Sequence, residues 1–116
     1  MRGEKNEDRP YYSVLLEFYG GLLSDRQREM LSYSIDDDLS LSEIAELTGI
    51  TRQGVRDAIG KAESQLVFYE ERLGMYRAFV RRRDCGETLS GMIENGSDDK
   101  SLMLELVRQI CGDLNS

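Results

Sequence analysis

Between Ser40 and Leu66 the apolar positions recur with the period of two short helices joined by a tight turn. Leu41, Ile44, Ala45 and Thr48 fall at the i, i+3, i+4, i+7 spacing that gathers side chains on one helical face. Ser40 precedes them as a cap, and Glu43 three residues on completes a capping box. Gly49 predicts the stop, because glycine takes the left-handed backbone at little cost. Ile50 plugs the turn, and Thr51 caps the next helix. At about 100° per residue, Val55, Ile59, Ala62 and Leu66 stack into one apolar stripe. Gln53, Arg56, Asp57, Gly60 and Ser64 then point the other way, with Arg52 on the flank. The pattern predicts a helix-turn-helix, the arrangement that presents its second helix to a DNA major groove.

The same period extends in both directions. After Pro10, suited to a first helical turn, Tyr12, Val14, Leu15, Leu16, Phe18 and Tyr19 give an apolar helix that Gly20-Gly21 ends. Ser24 with Gln27 forms a second capping box ahead of Met30, Leu31 and Ile35. Asp36-Asp37-Asp38 marks a loop before a helix N-terminus rather than a metal site. Downstream, Glu87 to Glu94 predicts a short helix, and 95–99 a polar loop. Leu102, Met103, Leu106, Val107, Ile110 and Leu114 predict a last helix. The expectation is an all-α fold: a disordered segment over 1–9, a helix-turn-helix domain with an extended last helix over 10–83, and an acidic helical extension over 84–116.

One further regularity has two readings. Val55, Ile59, Ala62, Leu66, Tyr69, Leu73, Tyr76 and Val80 step by four and three, a heptad seam. Either one long helix uses its far half, Leu66, Tyr69, Leu73, Tyr76 and Val80, to pair two copies, or the helix breaks near Gly74 and Tyr76, Phe79 and Val80 cover the monomer's own core.

Charge sharpens the functional reading. The 116 residues carry a net −7, which opposes a strong nonspecific hold on nucleic acid. Residues 1–50 hold a net −6 and residues 84–116 a net −5, while 51–83 hold 8 basic against 4 acidic side chains, a net +4. The positive charge gathers on the recognition helix and its continuation, ending in Arg81-Arg82-Arg83, where cations also suit a helix C-terminus. Glutamine pairs bidentately with adenine and arginine with guanine. Thr51, Arg52, Gln53, Arg56 and Lys61 are therefore the candidate nucleic-acid contacts. Without histidine there is no Ser-His or Cys-His couple, and no glycine-rich loop follows a strand. No catalysis, cofactor or metal is expected. Cys85 reads as a surface thiol and Cys111 as a core filler. The start lacks a signal peptide and no stretch approaches a membrane span, so a cytoplasmic location is expected.

LLSDRQREML, LSLSEIAELTGI and TRQGVRDAIGKAESQL resemble region four of bacterial sigma factors, which reads promoter DNA. A closer resemblance, over roughly 12–79, is to the YlxM-like family of small bacterial proteins. Phe18-Tyr19, Leu22-Leu23, Gln27, Ser40-Leu41, Glu43-Ile44-Ala45, Thr51-Arg52-Gln53, Val55, Asp57, Tyr69-Glu70 and Leu73 carry it. Ser34-Ile35 and Gly60 depart from that pattern. The resemblance implies an all-helical regulatory protein whose Arg52, Gln53 and Arg56 contact DNA or RNA. Because genes of this family sit beside those of the signal recognition particle, it also implies a part in that pathway, with the particle's RNA or protein as a partner.

Overall fold

The computed structural model describes residues 2–112, with side chains from Asp8 onward. Helices α1 (Arg2–Tyr19), α2 (Asp25–Ile35), α3 (Leu41–Thr48), α4 (Arg52–Leu73), α5 (Met75–Glu94) and α6 (Lys100–Cys111) follow one another, with a 3-10 turn over Gly20–Leu22. The all-α expectation holds. The chain divides into two compact units, one ending at Gly74 and one beginning at Met75.

In the first unit α1, α2 and α3 pack against α4 or one another. Leu15, Tyr19, Met30, Leu31, Ile44, Val55, Ile59 and Leu66 are fully buried, and each such side chain contributes about 1.5–3 kcal/mol through burial. Both capping boxes form. Ser24 Oγ accepts from Gln27 N at 3.1 Å and Gln27 Oε1 from Ser24 N at 3.2 Å. The Ser40–Glu43 pair repeats this at 3.1 and 2.8 Å.

Two N-terminal expectations change. Helix α1 is assigned from Arg2, so the segment over 1–9 is helical from that residue on, and Pro10 lies inside α1 rather than in its first turn. Arg9 explains part of this. Its guanidinium donates to Ser34 O and Ile35 O at 2.7 and 3.0 Å and pairs with Asp38 at 2.8 Å. It thus satisfies carbonyls left open at the end of α2. The same bond employs the acidic loop, where Asp38 takes φ +57°.

The extended last helix is also shorter than one continuous rod. Helix α4 stops at Leu73, and Gly74 (φ +61°) caps it with its N–H on Glu70 O at 2.8 Å. The helix breaks at Gly74, but Phe79, expected to cover the core after such a break, is exposed, and the 83/84 boundary falls inside α5.

The second unit is the hairpin of α5 and α6, joined by a loop in which Gly96 takes φ +72°. Cys85 is buried and its thiol donates to Gln109 Oε1 at 3.2 Å, while Cys111 is exposed. The expected roles of the two cysteines are therefore reversed. Leu106 packs inward, whereas Leu114 lies outside the described residues. Among the described residues no helix is long and apolar enough to cross a membrane.

Candidate nucleic-acid interface

The turn between α3 and α4 is built from short-range bonds. Gly49 takes φ +76° with its N–H on Ala45 O at 2.9 Å. The Thr48 hydroxyl donates to Ile44 O at 2.7 Å and accepts from Ile50 N at 3.3 Å. Thr51 Oγ1 accepts from Gly54 N at 3.0 Å and opens α4. That bond occupies a lone pair of the Thr51 hydroxyl and leaves its proton able to meet a phosphate.

Gly54 is a residue that pattern reading passed over. A Cβ there would lie 2.8 Å from Ile50 Cγ2 and 3.1 Å from Thr51 Oγ1. The turn closes this tightly only because position 54 has no side chain. Periodicity carries no such signal, since 54 sits on neither the apolar stripe nor the outer face. Gly54→Ala gains about 1 kcal/mol of helix propensity but meets about 1–3 kcal/mol of overpacking. The expected net loss is about 1 kcal/mol, visible as a lower melting temperature.

Beyond the turn, Arg52, Gln53, Arg56 and Lys61 are all exposed. Val55, Ile59, Ala62 and Leu66 face inward as one stripe, each 1% exposed or less. The outer face is not wholly unencumbered, because Gln53 Nε2 donates to Asp57 Oδ1 at 2.9 Å. This i, i+4 bond holds the Asp57 carboxylate next to the side chain best suited to adenine. Direct reading of a base by Gln53 requires that bond to open. Arg52, Arg56 and Lys61 form no ion pair among the described residues, so their charge is available to a ligand.

The two flanks of α4 differ in sign. On one side Gln27 of α2 joins Arg56, Asp57, Lys61, Ser64 and Gln65 around a shallow groove with two cations to one anion. On the other, Tyr12 of α1 meets Glu63, Val67, Phe68 and Glu71. Partial burial, with the Glu63 and Asp8 carboxylates beside it, raises the Tyr12 phenol above its ordinary pKa. Of the two flanks, the Arg56–Lys61 side is the more favourable to an anion and the Glu63–Glu71 side the less favourable.

The five candidate pairing residues are divided between the two units, Leu66, Tyr69 and Leu73 in the first and Tyr76 and Val80 in the second. Leu66 is fully buried in the core of its own unit, so it has no surface to offer another copy. Tyr69 is half-buried, packs on the Tyr19 ring at 6.0 Å and donates to Leu22 O at 3.3 Å. Leu73 is exposed at the end of α4, and Tyr76 and Val80 belong to α5. Four-and-three spacing marks a narrow core stripe as readily as a pairing surface, and in α4 the core takes it as far as Leu66.

Comparison with known proteins agrees with this architecture. Residues 6–106 match the family model UPF0122, described as "Putative helix-turn-helix protein, YlxM / p13 like". A UPF0122 protein of Caldanaerobacter subterraneus subsp. tengcongensis is 46% identical over 71 residues, covering 61% of each chain. The match thus spans about three-fifths of that relative's length. A UPF0122 protein of Clostridium acetobutylicum is 34% identical over 113 residues, covering 95% of this chain and 97% of its own. One from Geobacillus kaustophilus is 38% identical over 98 residues, covering 84% and 89%. The chain belongs to the UPF0122 family of YlxM/p13-like helix-turn-helix proteins.

Proposed function

We propose that the protein is a non-catalytic nucleic-acid-binding regulator that sets the first two turns of α4 in the major groove of duplex DNA. The observation that carries this reading is the exposed, unpaired Arg52–Arg56–Lys61 surface on a helix whose opposite stripe is locked in the core. Thr51 opens the helix at the groove, Arg52 and Arg56 meet phosphates or guanine edges, and Lys61 follows the backbone. Gln53 reads adenine once its bond to Asp57 opens. The surrounding acid makes affinity modest and steeply dependent on salt.

Arg52→Glu combined with Arg56→Glu reverses two charges on an exposed face and leaves the core intact. Affinity for duplex DNA in about 50 mM salt falls at least about 100-fold, as two phosphate contacts become repulsions. Fluorescence anisotropy with a labelled duplex reports it, and an unchanged affinity removes the reading.

A second reading is an adaptor of the signal recognition particle. It is favoured by the net charge of −7, which suits a basic protein partner better than bare DNA. Pull-down against the particle's RNA and its protein, each alone, separates the two. Capture of neither leaves only the DNA reading. Sedimentation with and without duplex reports whether one or two copies engage it.

A further inference from the structure

Helices α5 and α6 carry more apolar surface than the seam between them uses. At about 100° per residue, Ala78, Cys85, Leu89 and Met92 gather on one side of α5, and Met103, Leu106 and Ile110 on one side of α6. These positions are buried or half-buried, and they form the seam. A second stripe lies about a quarter turn further round each helix. On α5 it holds Met75, Phe79, Gly86, Ser90 and Ile93, and on α6 Leu104, Val107 and Cys111. Because the helices of a hairpin run antiparallel, a rotation of the same sense from the seam brings both stripes to one side. The large side chains there, Met75, Phe79, Ile93, Leu104 and Val107, are between 41% and 62% exposed. An apolar face of this kind marks a contact. Among the described residues of this unit only Cys85 and Leu106 are buried hydrophobic side chains, and a lone helical hairpin gains stability by covering its second face.

The charges of α5 say what fits there. All its cations, Arg77, Arg81, Arg82 and Arg83, precede all its carboxylates, Asp84, Glu87 and Glu94. Part of this charge is met within the helix, where Arg83 reaches Asp84 at 3.4 Å. The order as a whole is self-complementary. A second copy laid antiparallel across a two-fold axis beside Cys85 sets the basic half of each α5 on the acidic half of the other, whereas a parallel pair sets arginine on arginine. Sizes match in the same arrangement. Residues equally distant from the axis meet, so Met75 faces Ile93 of the second copy and Phe79 falls beside the small Ser90. Gly86, close to the axis, has nothing within 4 Å of the place a Cβ would take, which leaves room for the second helix. Arg83 and Glu87, on one flank of the stripe, face each other twice. Arg82 borders the other flank, where its stem lies along apolar surface and its guanidinium stays in water.

We propose that the α5–α6 hairpin is the self-association surface of this protein, pairing antiparallel with the hairpin of a second copy to close a four-helix bundle. The pairing uses none of the heptad series from Leu66 to Val80, and it does not depend on what α4 binds.

Sedimentation equilibrium of the full chain without nucleic acid, from about 2 to 200 µM, tests this. The unaltered protein forms a dimer and nothing larger, because a two-fold surface is used up once two copies meet. Leu104→Glu with Val107→Glu sets two carboxylates in the contact and weakens it at least about 100-fold. Both positions are exposed, so the far-ultraviolet circular dichroism spectrum stays unchanged. Leu73→Glu, at an exposed apolar position of the first unit, leaves the dimer as it was. Arg83→Glu alone and Glu87→Arg alone each set like charges face to face and weaken pairing roughly 10-fold, and an equal mixture of the two recovers it, since every facing pair is then opposite in sign. A mixture no tighter than either variant alone overturns the antiparallel arrangement. A monomer at 200 µM gives the face to a different protein and overturns the proposal. So does a dimer whose affinity survives Leu104→Glu with Val107→Glu.

Discussion

Truncating Leu66 to alanine lowers the unfolding free energy by about 2–5 kcal/mol, whereas Leu73→Ala lowers it by less than about 0.5 kcal/mol. The two leucines lie seven residues apart in one four-and-three series and are equivalent as text. Leu66 is fully buried among the side chains that anchor α4, so its loss removes transfer free energy and leaves a cavity the close-packed core fills only in part. Leu73 is 56% exposed at the last turn of α4, and its truncation opens no cavity. Urea denaturation followed by circular dichroism measures both. Equal small losses would mean that Leu66 faces a surface, and would restore the pairing seam that its burial removes. A large loss at Leu66 ties the proposed binding to folding as well, because the stripe that holds the rear of α4 leaves Arg52 and Arg56 on its exposed side.

What could be read from the chain, and what could not, follows from the range of the forces involved. Capping boxes are local: Ser24 with Gln27 and Ser40 with Glu43 close within three residues, so the chain spells them out. Gly49 and the Val55–Leu66 stripe are equally local, and the outer face of α4 follows from the stripe by angle alone. Gly74 is different. A glycine within an unbroken heptad spacing fits a continuous helix or a stop, and only the left-handed turn it adopts decides. Arg9 was out of reach because its partners lie 25 and 26 residues away, at the end of another helix. The cysteines were misassigned for a related reason. Cys85 is bracketed by Asp84 and Glu87 yet lies on the inner side of a hairpin whose second helix comes much later. Gly54 depends on a clash that exists only once Ile50 has folded into the turn. The charge map survives, but its meaning changes. The basic stretch is divided by Gly74, and Arg81–Arg83 become the interior of a helix rather than its end.

Glu70→Ala is expected to cost about 2–4 kcal/mol, a large effect for a glutamate in a chain rich in exposed acid. The residue is only 3% exposed, and its Oε1 accepts from the Tyr19 hydroxyl at 2.6 Å across a sequence distance of 51 residues. Tyr19 is itself 1% exposed, so the hydroxyl loses this acceptor in a place water does not reach. A buried polar group deprived of its partner costs about 1–3 kcal/mol, and each buried methylene removed adds about 0.8 kcal/mol. Glu70→Gln keeps a carbonyl oxygen in the same place and recovers most of the loss. The bond matters beyond its own strength. Helix α4 is 22 residues long, its first turns carry the candidate contacts, and Tyr19 ties its last turns to α1. A double-mutant cycle with Tyr19→Phe isolates that tie. If the hydroxyl and the carboxylate act as a pair, the combined loss is smaller than the two single losses together by about 1–3 kcal/mol. Strictly additive losses would show that Glu70 stabilises α4 through its other contacts rather than through the Tyr19 hydroxyl.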